Sequence, residues 1–130
     1  MTALPPRARG TLALIAERCT SCMICVRECP DWSISLQAHQ EVVADARGGR
    51  QRTVNVLDSF VVDWGTCMAC GVCVDVCPHA ALFWAPAELP VSAEAAGVLH
   101  GTATLESFVP EVSADVIEAA TARTRHDARR

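Results

Sequence analysis

The sequence predicts an α+β fold made of two similar halves. The prediction rests on a cysteine motif that occurs twice, short apolar segments around each copy, and a length of 130 residues, which suits one domain. The copies are CTSCMICVRECP from Cys19 and CMACGVCVDVCP from Cys67, at an offset of 48 residues. Because all four cysteines and the closing proline coincide, we expect two half-units related by a pseudo-twofold axis.

Four short segments are predicted to be strands. Residues 11–16 and 81–84 flank the repeat, and we expect them to pair and close the core. Residues 33–36 and 60–64 lie between the motifs, separated by a polar connection that contains residues 46–50. This arrangement predicts a long, exposed hairpin inserted between the halves.

Beyond residue 86 the composition shifts to Ala, Glu and Pro. One helix is predicted from Ser92 to near Gly101, and another from Ser113 to about Arg123. The last residues, 123–130, are basic and polar, and chain ends of this type are usually frayed.

The cysteine spacing is typical of iron-sulfur proteins. Three cysteines separated by two residues each can present three thiolates to one cluster, and the fourth, followed by proline, begins a new turn. In the bacterial two-cluster arrangement this fourth cysteine binds the other cluster. The predicted ligands of cluster 1 are Cys19, Cys22, Cys25 and Cys77, and those of cluster 2 are Cys67, Cys70, Cys73 and Cys29.

Zinc sites and disulfides account for the cysteines less well. Zinc is bound by two cysteine pairs, which gives no reason for a third equally spaced cysteine or for the closing proline. A disulfide framework needs a secretory context, and residues 1–10 do not resemble a signal peptide. Two 4Fe-4S clusters are therefore the predicted cofactors.

Charge and hydropathy restrict the partners. The formal net charge is −4, and eight thiolates with two oxidised cluster cores change it to about −8, which disfavours nucleic acid. Apolar runs such as residues 80–86 are far shorter than a membrane span. We expect any membrane association to come through partner proteins.

Several residues near the motifs carry weaker signals. Three tryptophans lie close to them, and core packing is expected for at least two. His79 is expected to be an exposed turn residue rather than a group that tunes a cluster, and Gly71 to permit close backbone approach where the first motif has Met23. The pair Arg7 and Arg9 is expected to be solvated or to serve in docking. The tryptophans are Trp32, Trp64 and Trp84.

These observations predict a bacterial two-cluster (8Fe-8S) ferredoxin-like core with a pseudo-twofold repeat, an inserted hairpin and a C-terminal extension. The predicted organisation is an N-terminal arm at 1–10, a two-cluster ferredoxin domain at 11–86, and a C-terminal extension and tail at 87–130. No residue is predicted to be catalytic.

The sequence also resembles subunit I of the NADH-quinone oxidoreductases (respiratory complex I), especially the forms from high-GC Gram-positive bacteria. The resemblance covers about residues 5–110. It rests on PPRARG from Pro5, ERCTSCMICVRECPDW from Glu17, NVLDSFVVDW from Asn55, CMACGVCVDVCPHAALFWAP from Cys67, and VLH from Val98.

The resemblance implies an electron-carrier subunit without a substrate of its own. Electrons from NADH and flavin would cross both clusters toward quinone, between other subunits of a respiratory or hydrogenase-like redox complex. The chain resembles a short form that lacks the usual N-terminal membrane-arm segment. Its expected location is the cytoplasm, at the cytoplasmic side of the inner membrane when assembled.

The alternative is a free soluble ferredoxin that carries electrons between separate enzymes, favoured by the short N-terminus and the acidic charge. A subunit that passes electrons between neighbours needs two docking faces, whereas a free carrier needs one. We expect those faces at residues 84–98 and in the insertion at 37–52.

Overall fold

The computed structural model describes residues 4–44 and 48–127. These residues form a mixed α+β fold with two small sheets and four helices among them. In chain order the elements are β1 Thr11–Leu14, α1 Ile24–Glu28, β2 Ile34–Ala44, β3 Gln51–Asp63, α2 Val72–Val76, β4 Leu82–Ala85, β5 Leu99–His100, α3 Thr102–Ser107 and α4 Ala114–Asp127, with 3-10 turns at Ala16–Arg18, Ala95–Val98 and Val109–Glu111.

The first and last strands of the core pair with each other, as predicted. Strand β1 is antiparallel to β4, with Thr11 opposite Ala85 and Leu14 opposite Leu82. Side chains alternate across a strand, so this sheet buries both of its faces. Leu12 and Leu14 face a core that includes several motif cysteines, whereas Ala13 faces a second core below the C-terminal helices.

The second sheet is a long ribbon in the order β2-β3-β5. Strand β2 is antiparallel to β3 from Ile34 opposite Val62 to Ala44 opposite Gln51, with an irregularity between Gln37 and Ala38. Both strands are much longer than predicted, because the pairing continues beyond the core. Residues 37–44 are all exposed, so backbone pairing rather than burial defines this part of the ribbon.

The predicted helix from Ser92 to near Gly101 is wrong. That stretch contains a 3-10 turn at Ala95–Val98 followed by β5, in which His100 pairs with Val62 of β3. The free edge of β3 supplies hydrogen-bond partners that the local sequence does not reveal.

The C-terminal residues cover the outer face of the β1–β4 sheet. The predicted helix from Ser113 is confirmed as α4, which continues to Asp127 and so includes residues 123–127 of the basic end. Residues 128–130 and the predicted connection at 45–47 lie outside the described residues. Ile117 of α4 packs against the second core, and Leu105 of α3 is fully buried in the first. Among the described residues, no helix is both long and apolar enough to span a membrane.

Candidate iron-sulfur centre

The two cysteine loops have the same backbone conformation. In the first loop Ser21 and Met23 have φ of 56° and 66°, and α1 begins at the next residue. In the second loop Ala69 and Gly71 have φ of 56° and 80°, and α2 follows in the same way. Non-glycine residues with positive φ are uncommon, so their repetition indicates a loop shape required by its function.

The fourth cysteines also lie in matching turns. Cys29 follows α1 and Cys77 follows α2. The Ser33 N–H donates to Cys29 Sγ at 3.4 Å, and the Ala81 N–H donates to Cys77 Sγ at 3.5 Å. Backbone donors of this kind stabilise a metal-bound thiolate.

The first group of thiols combines three residues of one motif with one of the other. Burial, followed by negative charge at Cys77, Cys19 and Cys22, raises the pKa of Cys25 to about 11. Burial is also the main cause of the raised pKa of Cys19, which is close to Cys77 as well. One pocket is lined by all four cysteines of this group together with Leu14, Leu36, Phe60 and Leu82.

The second group mirrors the first. Burial raises the pKa of Cys67, with further contributions from Cys29, Cys70 and Asp31. Burial is the main cause that raises the pKa of Cys73 to about 12, and the charges of Cys25, Cys67 and Cys29 raise it further. A hydrogen bond from the Val74 N–H acts in the opposite direction. Because Cys73 lies close to both Cys25 and Cys29, the two groups are neighbours. Each fourth cysteine thus lies near cysteines of the other motif, and the assignment of all eight cysteines to two ligand sets stays a prediction.

A single metal ion and an iron-sulfur cluster require different spacings between their ligands. Among the described residues, no three His, Cys, Asp or Glu side chains converge closely enough to hold one metal ion. Zinc requires four ligands converging at roughly 2.0–2.3 Å on one centre. A 4Fe-4S cluster is bound by four thiolates around a larger group, so its ligands lie farther apart.

A buried hydroxyl beside the first group also fits a sulfur-rich group. Ser21 is only 5% exposed, and its Oγ has no partner at hydrogen-bonding geometry among the described residues. It lies close enough to Cys19 to favour that thiolate. A cluster sulfur bound beside it would be a suitable acceptor for this hydroxyl.

Two tryptophans confirm the expectation of core packing. Trp64 and Trp84 are half-buried against the first core, and the Trp64 ring N–H donates to Nδ1 of His100 at 3.0 Å. Burial lowers the pKa of His100, which keeps that nitrogen available as an acceptor. Trp32, in contrast, is 85% exposed. His79 is exposed, as expected, and lies on the pocket of the first group.

Two arginines have structural roles that the sequence does not reveal. Arg9, expected to be solvated or a docking residue, donates to the carbonyls of Ala69 and Cys70. Arg18 donates to the Ala80 carbonyl at 3.2 Å and to Thr121 Oγ1 at 3.0 Å, which ties the turn after Cys77 to α4. Both arginines reach carbonyls at least 60 residues away, so no local pattern could have indicated these contacts.

Comparisons with known proteins show which family the chain belongs to. A 4Fe-4S dicluster domain family matches residues 17–82. An NADH-quinone oxidoreductase subunit I from Streptomyces coelicolor is 56% identical over 84 residues, which are 64% of this chain and 43% of that protein. An NAD(P)H-quinone oxidoreductase subunit I from Gloeobacter violaceus is 36% identical over 76 residues, 58% of this chain and 32% of that protein.

A second NADH-quinone oxidoreductase subunit I, from Symbiobacterium thermophilum, is 33% identical over 85 residues, 61% of this chain and 32% of that protein. The matched region is thus less than half of the length of each relative. The resemblance to subunit I is confirmed, and the match spans both cysteine motifs. The chain belongs to the 4Fe-4S dicluster domain family and is an iron-sulfur protein related to subunit I of the NADH-quinone oxidoreductases.

Proposed function

We propose that this chain is an electron-transfer subunit that carries electrons through two 4Fe-4S clusters toward quinone in an NADH-quinone oxidoreductase-type complex. The observation that supports the proposal is the proximity of each fourth cysteine to the other motif: Cys77 lies close to Cys19 and Cys25, and Cys29 lies close to Cys67. In the proposed assignment Cys19, Cys22, Cys25 and Cys77 hold cluster 1, and Cys67, Cys70, Cys73 and Cys29 hold cluster 2.

Each bound cluster would accept and release one electron, and the remaining functions belong to the chain. The backbone donors at Ser33 and Ala81 would stabilise the thiolates of Cys29 and Cys77. Leu14, Phe60 and Leu82 would exclude water from cluster 1. The buried thiols would lose their protons on binding iron, so incorporation of the clusters would release protons. Hydride and quinone chemistry would belong to other subunits.

The proposed core is a two-cluster ferredoxin with a pseudo-twofold repeat. The matching φ angles of Ser21 and Ala69, and of Trp32 and Ala80, support this symmetry. The domain would span residues 11–86, with 1–10 as an N-terminal arm and 87–130 as a C-terminal extension. The outer part of the β2–β3 ribbon would be the inserted hairpin.

The partners proposed are other subunits of the complex, on the cytoplasmic side of the inner membrane. Two exposed regions suit docking. In residues 84–98, Leu89 and Val91 are 45% and 99% exposed, and in residues 37–52 both Val42 and Val43 are exposed. Trp84 does not belong to such a surface, because it is half-buried against the core.

Metal analysis and co-purification test the proposal. A tagged chain expressed in a host that makes its natural partners, and isolated without oxygen, should hold about eight irons and eight acid-labile sulfides. It should also bring down the other subunits of a quinone-reducing complex. Zinc in place of iron would refute the cluster assignment, whereas a fully loaded chain that always purifies alone would support the free-ferredoxin alternative.

A further inference from the structure

The N-terminal residue Arg9 closes over the second cysteine loop. Its Nη1 donates to the carbonyl oxygens of Ala69 and Cys70, at 3.1 and 3.2 Å. The guanidinium also lies 5.7 Å from the ring centroid of Trp84, within the range of a cation–π contact. A side chain added at Gly71 would have its Cβ 3.3 Å from both Arg9 Nη1 and Trp84 Nε1. Arg9, Trp84 and the loop are therefore packed together.

The neighbouring glycine holds the base of Arg9 in place. Gly10 is buried, and a Cβ there would lie 2.0 Å from the Ala87 carbonyl oxygen and 2.6 Å from that of Ala85. Such distances are sterically forbidden, and both obstacles are backbone atoms. The arm can follow this path beside the end of β4 only with glycine at this position. The backbone from which the Arg9 side chain projects is therefore held in place.

The two cysteine loops differ in this respect. The carbonyls of Ser21 and Cys22 correspond to those of Ala69 and Cys70, because the motifs repeat at an offset of 48 residues. No side chain of the described residues donates a hydrogen bond to the Ser21 or Cys22 carbonyl. The arginine contact is thus confined to the loop of Cys67, Cys70 and Cys73.

From this geometry we infer that Arg9 is a positioning residue for the cluster held by the second loop, and that its charge raises the midpoint potential of that cluster. The inference rests on the proposed function. Guanidinium stays charged at all relevant pH values and can hold two acceptors in one plane. Reduction adds negative charge to the cluster, so a fixed cation beside the loop stabilises the reduced form more than the oxidised one.

The test uses the loaded full-length chain and three variants. Arg9→Gln removes the charge, Arg9→Lys keeps a charge without the two-acceptor geometry, and Arg7→Gln removes an equal charge from the same arm. Arg7 is exposed and is not among the residues that hydrogen-bond to either loop. Iron content and EPR-monitored redox titrations are measured, with the two signals assigned through Cys67→Ser.

We expect Arg9→Gln to shift the midpoint potential of the second cluster to more negative values and to leave that of the first unchanged. Arg9→Lys should restore part of the shift, and Arg7→Gln should change neither cluster. If Arg9→Gln instead loses iron from the second site alone while Arg9→Lys retains it, the positioning role is supported directly.

The inference is overturned if Arg9→Gln keeps about eight irons and both wild-type potentials, or if Arg7→Gln produces the same change. These results would leave the proposed function intact. A wild-type chain that binds no iron under anaerobic reconstitution would overturn the proposed function itself, so the two failures are distinguishable.

Discussion

Trp32 and Ala80 occupy equivalent left-handed positions, each three residues after the fourth cysteine of its motif, with φ of 56° and 50°. Their surroundings are opposite. Ala80 is 6% exposed in the core below the C-terminal helices, whereas Trp32 is 85% exposed. A large aromatic side chain in a strained conformation is rarely left in water without a function. The chain covers this position in one half and leaves it open in the other.

The first prediction is that Trp32 contacts a partner subunit. Trp32→Ala should change the free energy of unfolding by about 0.5 kcal/mol or less, since the side chain buries little surface. It should retain all iron but lower the recovery of partner subunits in a pull-down. Trp32→Phe, which keeps an apolar ring, should preserve most of that recovery. Loss of iron from Trp32→Ala would show instead that the residue supports the cluster.

The second prediction concerns ligand exchange between the motifs. Cys77→Ser should perturb the cluster held by Cys19, Cys22 and Cys25, because Cys77 exerts the largest charge effect on Cys25. Cys67→Ser should perturb the other cluster. EPR spectra of the two variants, compared with the wild type, separate the signals. If both variants disturb the same signal, the ligands are grouped within motifs and the assignment is wrong.

The site is more predictable from the sequence than the periphery, for a physical reason. The ligand spacing is a local property, because Cys19 to Cys25 form one loop whose shape follows from a few residues. The pairing of β1 with β4 was also predictable, since the repeat places both strands next to a motif. The strand at Leu99–His100 depends on the free edge of β3, which no local pattern specifies.

Long-range polar contacts were the other features that could not be predicted. Arg9 was expected to be solvated or to serve in docking, and no local pattern marks Arg18, yet both donate to backbone carbonyls in the second half of the chain. The sequence marks Trp32 only as one of three tryptophans of which at least two are expected to be packed. The contrast between the exposure of Trp32 and the burial of Ala80 is evident only in the structure.

A third prediction is that removal of the clusters unfolds most of the chain. The first core contains Cys25 and is packed by other predicted ligands, including Cys73, so bound clusters would fill its centre. Chelation under reducing conditions should abolish most of the far-ultraviolet circular dichroism signal, and reconstitution with iron and sulfide should restore it. Cooperative, native-like thermal unfolding of the iron-free chain would contradict the prediction.

A fourth prediction assigns a hydrogen bond to Ser21. Its buried hydroxyl has no partner at hydrogen-bonding geometry among the described residues, although it lies close enough to Cys19 to favour that thiolate. If the hydroxyl donates to a sulfur of cluster 1, Ser21→Ala should shift that midpoint potential to more negative values. The reciprocal variant Ala69→Ser, at the matching position, should shift cluster 2 in the opposite direction. Unchanged potentials in both variants would exclude this bond.

The last prediction is that His39, on the β2–β3 ribbon, has a raised pKa. His39 Nε2 lies 2.8 Å from Glu41 Oε1, and Nδ1 lies 2.6 Å from Asp58 Oδ1. A neutral imidazole has only one N–H to donate, so holding both carboxylates requires the protonated ring. The hydrogen bonds, first to Glu41 and then to Asp58, raise the pKa of His39 above its ordinary value.

The sign of the effect on stability follows from this direction. Protonated His39 stabilises the ribbon fully below the ordinary histidine pKa of about 6.5, and the contribution is lost as pH rises through the raised folded-state value. NMR titration of the labelled ring should give a pKa above about 6.5 in the wild type and a lower one in both Glu41→Gln and Asp58→Asn. Glu118→Gln, which alters an exposed carboxylate on α4, serves as the control. A wild-type pKa at or below about 6.5 would mean that the pair of contacts does not persist in solution.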